Sequence, residues 1–459
     1  MFLALGIVFL SGTEIHAEFR IVNTLADTND GICGAHCSLR DAVAAANSGD
    51  TIIFAREIRG GTIQLQQTIV TQKALNIDGP NRRRITLKGN GTFGILSLMG
   101  AGGAYRSVFI DGLIIRDGGG VQGGGIFINP GVVLTISDCQ IVENRAGKGG
   151  GIRMFFGAIY VRNSTISDNT SDGIGGAAGI DALYPANIEI ANSTIARNFA
   201  EDGAGGIKIY GGDNLWLLNS TVSGNVSAGS GFGHAGGVFT DSDDYALYQN
   251  SIVAGNTGDT PDIYASASSF GSNNLIGVGE GSRFSGLNNI GGNIVGTRAN
   301  PADARLGPLM DNGRGVLTFA PLPTSPVIDS GDAELLAWYQ SIHESFQGNV
   351  DQRGFSRIVA NAVDMGAVEF GGSAISVTTT ITGRVTNSYG RGVPKAFVTV
   401  RGTGGETRTA LTNPFGYYQV FGLPVDTQFA VEVKSKRYNF QPQTLMAEEE
   451  TEYVDFVTN

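Results

Sequence analysis

The sequence lacks the features on which several large functional classes depend. Lys and Arg number 31 against 42 Asp and Glu, a net charge of −11, so no basic patch is present to displace counterions from a phosphate backbone. The four histidines stand in no zinc-binding spacing. There is no G-x-S-x-G motif and no phosphate-binding glycine motif. No apolar run later in the chain is long enough to span a bilayer. We therefore expect neither nucleic acid as a partner nor a transmembrane segment.

Cysteine is also scarce, with three in 459 residues. Cys33 and Cys37 are four positions apart and flanked by glycine, which predicts a small disulfide loop in an oxidising compartment. His36 lies between them, but no second pair of ligands accompanies it, so zinc is disfavoured. Cys139 is left over and is expected to be a buried thiol.

The N-terminus carries a short apolar run, from Phe2 to Leu10, followed by small and polar residues ending at Ala17. This pattern predicts a signal peptide over residues 1–17 and hence export, although the usual basic start is missing. The alternative is a buried first strand.

Glycine is abundant, at 69 residues, and it accompanies an internal repeat. Six segments open and close on Asn or Asp six positions apart, and successive segments begin 27, 25, 29, 27 and 31 residues apart. The six segments begin at Asp111, Asp138, Asn163, Asn192, Asn219 and Asn250. Between them apolar residues alternate, as in Ile188-x-Ile190, which indicates strands. No 3.6-residue period is present, and the leucines that leucine-rich repeats require are missing.

Short strands and turns repeating every 27 residues or so predict an all-β fold, a right-handed parallel β-helix in which each coil stacks about 4.8 Å from the next. Equivalent residues should then lie above one another. The fourth position of each segment is branched and apolar and is expected to form an aliphatic stack inside the tube: Ile114, Ile141, Ile166, Ile195, Val222 and Val253.

The asparagines that open four of the segments predict a ladder of side-chain amides bonded to each other and to the turn backbone. They are Asn163, Asn192, Asn219 and Asn250. The first three also stand in N-S-T sequons, so glycosylation is the competing interpretation. The ladder explains their spacing, whereas a sequon does not.

One outward-facing position recurs on successive coils and carries rings and mixed charge. The predicted strip comprises Phe127, Arg153, Asp181, Lys208 and Phe239, with Tyr210 two positions further on. Rings stack on sugar faces, so the strip is a candidate glycan-binding groove; a solvated row of ion pairs is the plainer interpretation. No paired carboxylates or clear calcium ligands support catalysis. Weak calcium candidates are Asp241, Asp243 and Asp244, and a second weak set is Asp27, Asn29 and Asp30.

Before the repeats, Cys37-Ser-Leu-Arg-Asp-Ala42 predicts a short helix capped by Ser38, with Leu39 and Val43 facing the open end of the tube. This motif resembles the CSLREA domain over roughly residues 19–65. After the repeats, segments such as Leu306–Gly313 and Asp351–Gly354 resemble the closing region of choice-of-anchor Q proteins, bacterial surface β-helices related in shape to pectate lyases. The turns of this region are expected to cap the last coils. The resemblance implies a secreted or cell-surface protein.

From residue 375 the asparagine repeat ends and short strands with regular turns indicate an antiparallel sandwich. Ile381-Thr-Gly-Arg-Val385 and Phe415-Gly-Tyr-Tyr418 resemble the carboxypeptidase regulatory-like domain, of transthyretin-like and carbohydrate-binding-like fold, which carries no peptidase chemistry. The predicted organisation is a signal peptide (1–17), a cap (18–65), the β-helix with its closing region (66–370), a linker (371–380) and the sandwich (381–459).

The sequence thus favours a secreted or surface protein, acting as a monomer, that binds an extended glycan without a resident cofactor; calcium is the one ion with candidate ligands. A polysaccharide lyase or glycoside hydrolase is the alternative, and a structural spacer is the third hypothesis.

Overall fold

The computed structural model of the chain describes residues 18–458 except 81, 101–104, 186, 213, 242–244, 266–267, 285–286, 343–347, 375–377, 426 and 448–451. The predicted signal peptide, His343, Asp243 and Asp244 lie outside the described residues. The contacts divide the chain into two units, 1–373 and 374–459.

The first unit is a parallel β-helix with three long sheets, in which each strand pairs with its equivalent one coil away. Sheet A consists of Phe19–Val22, Thr51–Phe54, Leu75–Asp78, Arg106–Asp111, Val132–Ser137, Gly157–Arg162, Asn187–Ala191, Asn214–Leu218, Tyr245–Gln249 and Ser268–Ser272. Sheet B consists of Thr62–Gln64, Ile85–Lys88, Leu113–Arg116, Gln140–Val142, Thr165–Ser167, Thr194–Ala196, Thr221–Ser223, Ile252–Val253, Leu275–Ile276 and Ile294–Val295. Sheet C consists of Ile69–Thr71, Leu96–Leu98, Ile126–Ile128, Ile152–Phe155, Ile180–Leu183, Ile207–Tyr210, Val238–Thr240 and Ile263–Ala265.

The remaining elements of this unit lie outside the three sheets or close its ends. Sheet D consists of Arg145–Ala146, Thr170–Ala177, Phe199–Ala204 and Val226–Ser227. The others are helix α1 (Leu39–Ala45), a 3-10 turn (Arg56–Ile58), an antiparallel pair (Leu306–Asp311 and Leu317–Pro321) and helix α2 (Ala333–Ile342). Neither helix is long and apolar enough to cross a membrane, nor is any other helix in the described part of the chain.

An aliphatic stack fills the tube beneath sheet B, as the repeat predicts. Ile141, Ile166, Ile195, Val222 and Val253 are register partners in order, and all are fully buried. The first member is Ile115 and not Ile114, because Gln140 pairs with Ile114 and the predicted alignment of that coil was wrong by one residue. A one-residue shift reverses the face of a strand, so Ile114 points outward and is only half-buried.

A ladder of asparagine amides is present, but the residues predicted to form it were wrong. The ladder residues close five of the six segments instead of opening them. In each step the backbone N–H and side-chain amide of one residue donate to the side-chain oxygen one coil on, at 2.8–3.1 Å. The members are Asn144, Asn169, Asn198, Asn225 and Asn256, and Asp262 accepts from the last of them.

The opening asparagines serve as corners between sheets A and B. Asn163, Asn192, Asn219 and Asn250 have φ between 45° and 49°, the left-handed conformation that asparagine tolerates better than most residues. Two of these side chains bind the closing region: Asn192 donates to the carbonyl oxygen of Val350 and Asn250 to that of Asp332. Asn192 is 1% exposed and Asn219 is 4% exposed, so neither presents its amide to solvent as a glycosylated residue must.

Helix α1 closes the N-terminal end of the tube. Ser38 caps it by accepting from the backbone N–H of Asp41, and Leu39 and Val43 are buried, as predicted from the motif. Arg40 anchors the helix through two bonds to the Asp27 carboxylate and bonds to the carbonyl oxygens of residues 67 and 68. Cys33 and Cys37 are joined by a disulfide, and Cys139 is a buried thiol.

The closing region packs on the last coils, where Val327 and Met365 contact Ile252 and Leu275, but it is not confined to them as the sequence suggested. It runs back along the outer face of sheet B, where the repeat places a row of threonines. Thr165 donates to the carbonyl oxygen of Leu317, Thr194 donates to the side chain of Gln352, and Thr221 accepts from the backbone of residue 367. Because the closing region shields this face from water, the threonine hydroxyls would be buried without partners if these hydrogen bonds were missing.

The second unit is a sandwich of two four-stranded sheets. Sheet E consists of Tyr417–Pro424, Thr378–Thr386, Glu452–Tyr453 and Phe456–Val457, and sheet F consists of Thr407–Leu411, Phe397–Gly402, Gln428–Lys434 and Gln443–Met446. The run Thr378–Thr380 belongs to the first strand of sheet E, so the predicted linker extends too far. The inward residues of both sheets, such as Ile381, Val398 and Phe429, form a core of their own.

Candidate functional site

The residues of the predicted strip do lie in one row on sheet C. Phe127 pairs with Arg153, Arg153 with Asp181, Asp181 with Lys208 and Lys208 with Phe239. The spacing of the repeat therefore gave their register correctly. The row continues to Tyr264 on the last strand of the sheet.

The row is covered, however, and the prediction that it forms an open groove was wrong. Arg153 is 3% exposed, and Asp181 and Phe239 are fully buried. Sheet D and the loops that follow it lie over this face: Ala177, Ala204 and Ala235 pack against Phe239. Lys208 donates to the carbonyl oxygen of Gly175 in the same covering layer. The sequence between the segments did not show that these glycine-rich turns fold over sheet C.

The covering layer buries the charged side chains of the row. Arg153 forms an ion pair with Asp181, and its guanidinium lies 4.6 Å from the ring centre of Phe155. Desolvation lowers the pKa of Arg153 to about 10 and also lowers the pKa of Lys208, where the nearby Lys148 adds to the effect. These groups are part of the packing between the tube and its covering layer.

Exposed rings occur instead at the corner between sheets C and A, which we call the aromatic corner and define as Phe156, Tyr184 and Tyr210. These side chains are 52%, 44% and 38% exposed. The rings of Phe156 and Tyr184 are stacked with centres 5.0 Å apart, and Tyr210 meets Tyr184 edge-on at 6.4 Å. Tyr210 alone was part of the predicted strip.

The backbone under the two stacked rings is in an unfavourable conformation. Phe156 and Tyr184 have φ of 46° and 52°, in the left-handed region that bulky residues rarely adopt. The equivalent residues on the flanking coils are Gly131 and Gly211, with φ of 84° and 67°. Two rings thus occupy a corner that glycine fills on the coils before and after. This alternation is visible in the sequence once the coils are aligned, and it was overlooked because the strip was sought on the strand and not at its end.

A second exposed feature lies on the early coils of sheet A. Asp78 and Asp111 are register partners on adjacent coils, and they line a groove together with Phe19 and Phe109. Both rings are exposed, and partial burial raises the pKa of Asp78 while Arg59 opposes that rise. The sequence did not reveal this pair because Asp78 stands in a coil that precedes the clear repeats.

The weak calcium candidates gain no support from their surroundings. The Asp27 carboxylate accepts hydrogen bonds from Arg40 and from the backbone N–H of Gln66, so Asp27 was a wrong candidate for a calcium ligand. Asp241 is half-buried, and its two neighbours lie outside the described residues. Within the described ranges no three His, Cys, Asp or Glu side chains are grouped closely enough to hold a metal ion.

Two protein-family models match this chain, one in each unit. The model of the right-handed β-helix region matches residues 73–232 and 124–300, and the model of the carboxypeptidase regulatory-like domain matches residues 380–458. Among solved structures, pectate lyase Pel9A is similar with a TM-score of 0.37 and 16% identity over 78% of this chain and 97% of that one. No curated protein matches the chain. The chain therefore consists of a right-handed parallel β-helix followed by a carboxypeptidase regulatory-like domain.

Proposed function

We propose that the β-helix binds an extended glycan, as a secreted or cell-surface adhesion or binding protein, and that the aromatic corner is the binding site. The observation that carries this proposal is the stacked, exposed pair of Phe156 and Tyr184 on strained backbone.

Energetics favour a role for the pair outside folding. A left-handed backbone costs roughly 1–2 kcal/mol for each non-glycine residue, whereas a stacked aromatic pair returns about 0.5–1.5 kcal/mol in total. Both rings stay about half exposed, so burial contributes little further stabilisation. Unfavourable backbone conformations of this kind are concentrated at ligand-binding sites.

The size of the corner fits a short stretch of sugar chain. The three aromatic residues lie on three successive coils, and two coil steps of about 4.8 Å span about 10 Å, close to the length of two sugar units. Ring faces and edges bind the apolar faces of sugars, and tyrosine adds a hydroxyl at its tip.

The burial of Arg153 and Asp181 changes the kind of glycan expected. With the charges of the predicted strip sequestered, stacking and not ion pairing should dominate recognition. We therefore expect binding that depends weakly on salt, because screening acts on exposed charges.

The test compares wild type with a Phe156→Gly, Tyr184→Gly variant, which removes both rings and suits the backbone. A matched control, Tyr105→Ala with Phe270→Ala, removes two exposed rings elsewhere on the tube. A glycan array followed by affinity electrophoresis measures binding. We expect the corner variant to lose at least tenfold in affinity while the control retains it. Equal binding by all three proteins would contradict the proposal. No binding by any of them would favour the hypothesis that the protein is a structural spacer.

The enzyme alternative rests on a different observation, the pairing of Asp78 with Asp111 beside two exposed phenylalanines. Glycoside hydrolases use two carboxylates, and a raised pKa suits the one that donates a proton. Release of reducing ends from xylan or polygalacturonate by wild type, and its loss in Asp78→Asn, would establish hydrolysis at this groove. Release of unsaturated ends would indicate a lyase.

A further inference from the structure

The two outer faces of the C-terminal unit differ in what they expose. On sheet E the outward side chains include three rings, Tyr417, Phe421 and Tyr453, which are 52%, 64% and 78% exposed. On sheet F, Phe397 is the one exposed ring among the described residues of the strands, because Phe429 is buried in the core.

Polar groups separate the rings of sheet E. Thr382 lies between Gln419 and Tyr453 on the neighbouring strands, and Arg384 is opposite Tyr417 with its guanidinium 5.1 Å from that ring centre. The Arg384 side chain also donates to the carbonyl oxygen of Phe415. Tyr417 therefore has a cation beside it, and Tyr453 has a hydroxyl on the neighbouring strand.

The described residues of this face carry few charges. Among its described outward residues, Arg384 is the one cation and Asp455 the one anion, and the Asp455 carboxylate accepts from the backbone of Arg384. A face of this kind attracts neither an acidic polymer nor an anionic membrane, because both require an excess of basic residues.

We propose that the outer face of sheet E, defined by Tyr417, Phe421, Tyr453, Thr382, Gln419 and Arg384, is a second binding site, which takes a neutral polysaccharide lying flat across three strands. Protein interfaces are built around a contiguous apolar centre from which charged groups are depleted. Here the rings are spread across strands about 4.8 Å apart and interleaved with amide, hydroxyl and guanidinium groups. Ring faces for stacking and adjacent hydrogen-bonding groups are what the alternating apolar faces and hydroxyls of a sugar chain need. This second site is separate from the aromatic corner and shares with it only the class of ligand.

The experiment uses the full chain and two insoluble neutral probes, microcrystalline cellulose and chitin, with soluble polygalacturonate as the charged comparison. The face variant is Tyr417→Ala, Phe421→Ala, Tyr453→Ala. Its matched control is Phe397→Ala, Leu411→Ala, Met446→Ala, which removes three exposed apolar side chains from sheet F. Both are made with and without the corner replacements Phe156→Gly and Tyr184→Gly, so that the affinity of each site is measured separately. Circular dichroism establishes that every variant is folded.

In the background without the corner rings, we expect the face variant to lose at least tenfold in affinity for one of the two insoluble probes, whereas the control does not. Face and control variants that bind equally would overturn the second site and leave the corner proposal standing. Complete loss of binding when only the corner rings Phe156 and Tyr184 are replaced would also overturn the second site. A face variant that binds normally but changes from dimer to monomer by light scattering would instead identify the face as a contact between copies, and would also overturn the proposal.

Discussion

The side-chain amide of Asn198 donates to the side-chain oxygen of Asn225, one coil further along the tube, at 2.8 Å. The same oxygen also accepts from the backbone of Asn198, and the amide of Asn198 makes a second bond to the carbonyl oxygen of Ile166. These three bonds satisfy the backbone N–H and the side-chain amide hydrogens of Asn198.

Asn198→Ala should therefore be costly. It leaves the backbone and amide of Asn169 without their acceptor, and buried unsatisfied groups cost about 1–3 kcal/mol each. We expect a loss of about 2–4 kcal/mol in the free energy of unfolding, measured in urea.

The control for the ladder is Asn219→Gly, at a corner whose φ is 45° and whose amide nitrogen has no hydrogen-bond partner among the described residues. Glycine suits that backbone, so we expect a change of less than about 1 kcal/mol. A large loss of unfolding free energy in Asn219→Gly together with a small one in Asn198→Ala would indicate that the opening asparagines form the stabilising ladder.

The aromatic corner yields a prediction about the sign of a substitution effect. Tyr184→Gly should be more stable than Tyr184→Ala by about 1 kcal/mol, because alanine keeps the left-handed strain that glycine relieves. At Tyr210, which lies in a strand, the order should reverse, with alanine the more stable by about 0.5–1 kcal/mol. Thermal unfolding of the four variants measures both differences, and the same order at both positions would show that the corner is not strained.

Stability should fall with rising pH because of Glu369 in the closing region. Burial raises its pKa to about 8 from an ordinary value of 4.5, and nearby Asp364 adds to the rise. Between those two pH values the folded chain holds a proton that the unfolded chain has released, so each rise of one pH unit costs up to about 1.4 kcal/mol from this group. The stabilisation is complete below pH 4.5 and is lost as pH passes through 8.

Glu369→Gln should flatten this dependence, since the amide still accepts from the backbone of residue 364 but does not ionise. Urea unfolding at pH 5.5, 7 and 8.5 would check it, with the exposed Glu201→Gln as control. An unchanged slope in the Glu369 variant would mean that this carboxyl is ionised in the folded protein.

The disulfide between Cys33 and Cys37 closes a short loop beside helix α1. In the chain-entropy model, closing a loop of this size is worth about 2 kcal/mol, so Cys33→Ser with Cys37→Ser should lower stability by that amount. Non-reducing peptide mapping of protein purified from its natural compartment tests the bond itself, and two free thiols there would count against export.

Residues 374–459 should fold alone, because they have a core of their own. Expressed separately, they should unfold cooperatively with a β-rich spectrum. Aggregation would show that the boundary is misplaced.

The sequence predicted the parts of the fold that repeat. Strand register, the aliphatic stack and the row from Phe127 to Phe239 all follow from counting residues between equivalent positions. The same counting misassigned Ile114, because that coil begins with a glycine corner in place of asparagine. It also could not say which of two asparagines per coil forms the ladder, since both recur with the same period.

Features that depend on contacts distant in the sequence were beyond such reasoning. The cover over Arg153 and Asp181 is formed by turns of varying length with no period of their own. The corner rings Phe156 and Tyr184 depend on backbone conformation, which the sequence shows only by comparison with Gly131 and Gly211. Membership of the CSLREA and choice-of-anchor Q families stays a prediction, as does export.

Because the closing region lies along sheet B and joins residues 317, 352 and 367 to Thr165, Thr194 and Thr221, it alters how the tube can come apart. A bare solenoid has only nearest-neighbour contacts and can fray coil by coil from either end. Here the closing region joins the C-terminal end of the unit to the central coils, so we expect the three central coils and all later coils to unfold together. The closing region is also the last part of the β-helix unit to be synthesised, so we expect the tube to unfold as one cooperative unit only after this region has docked.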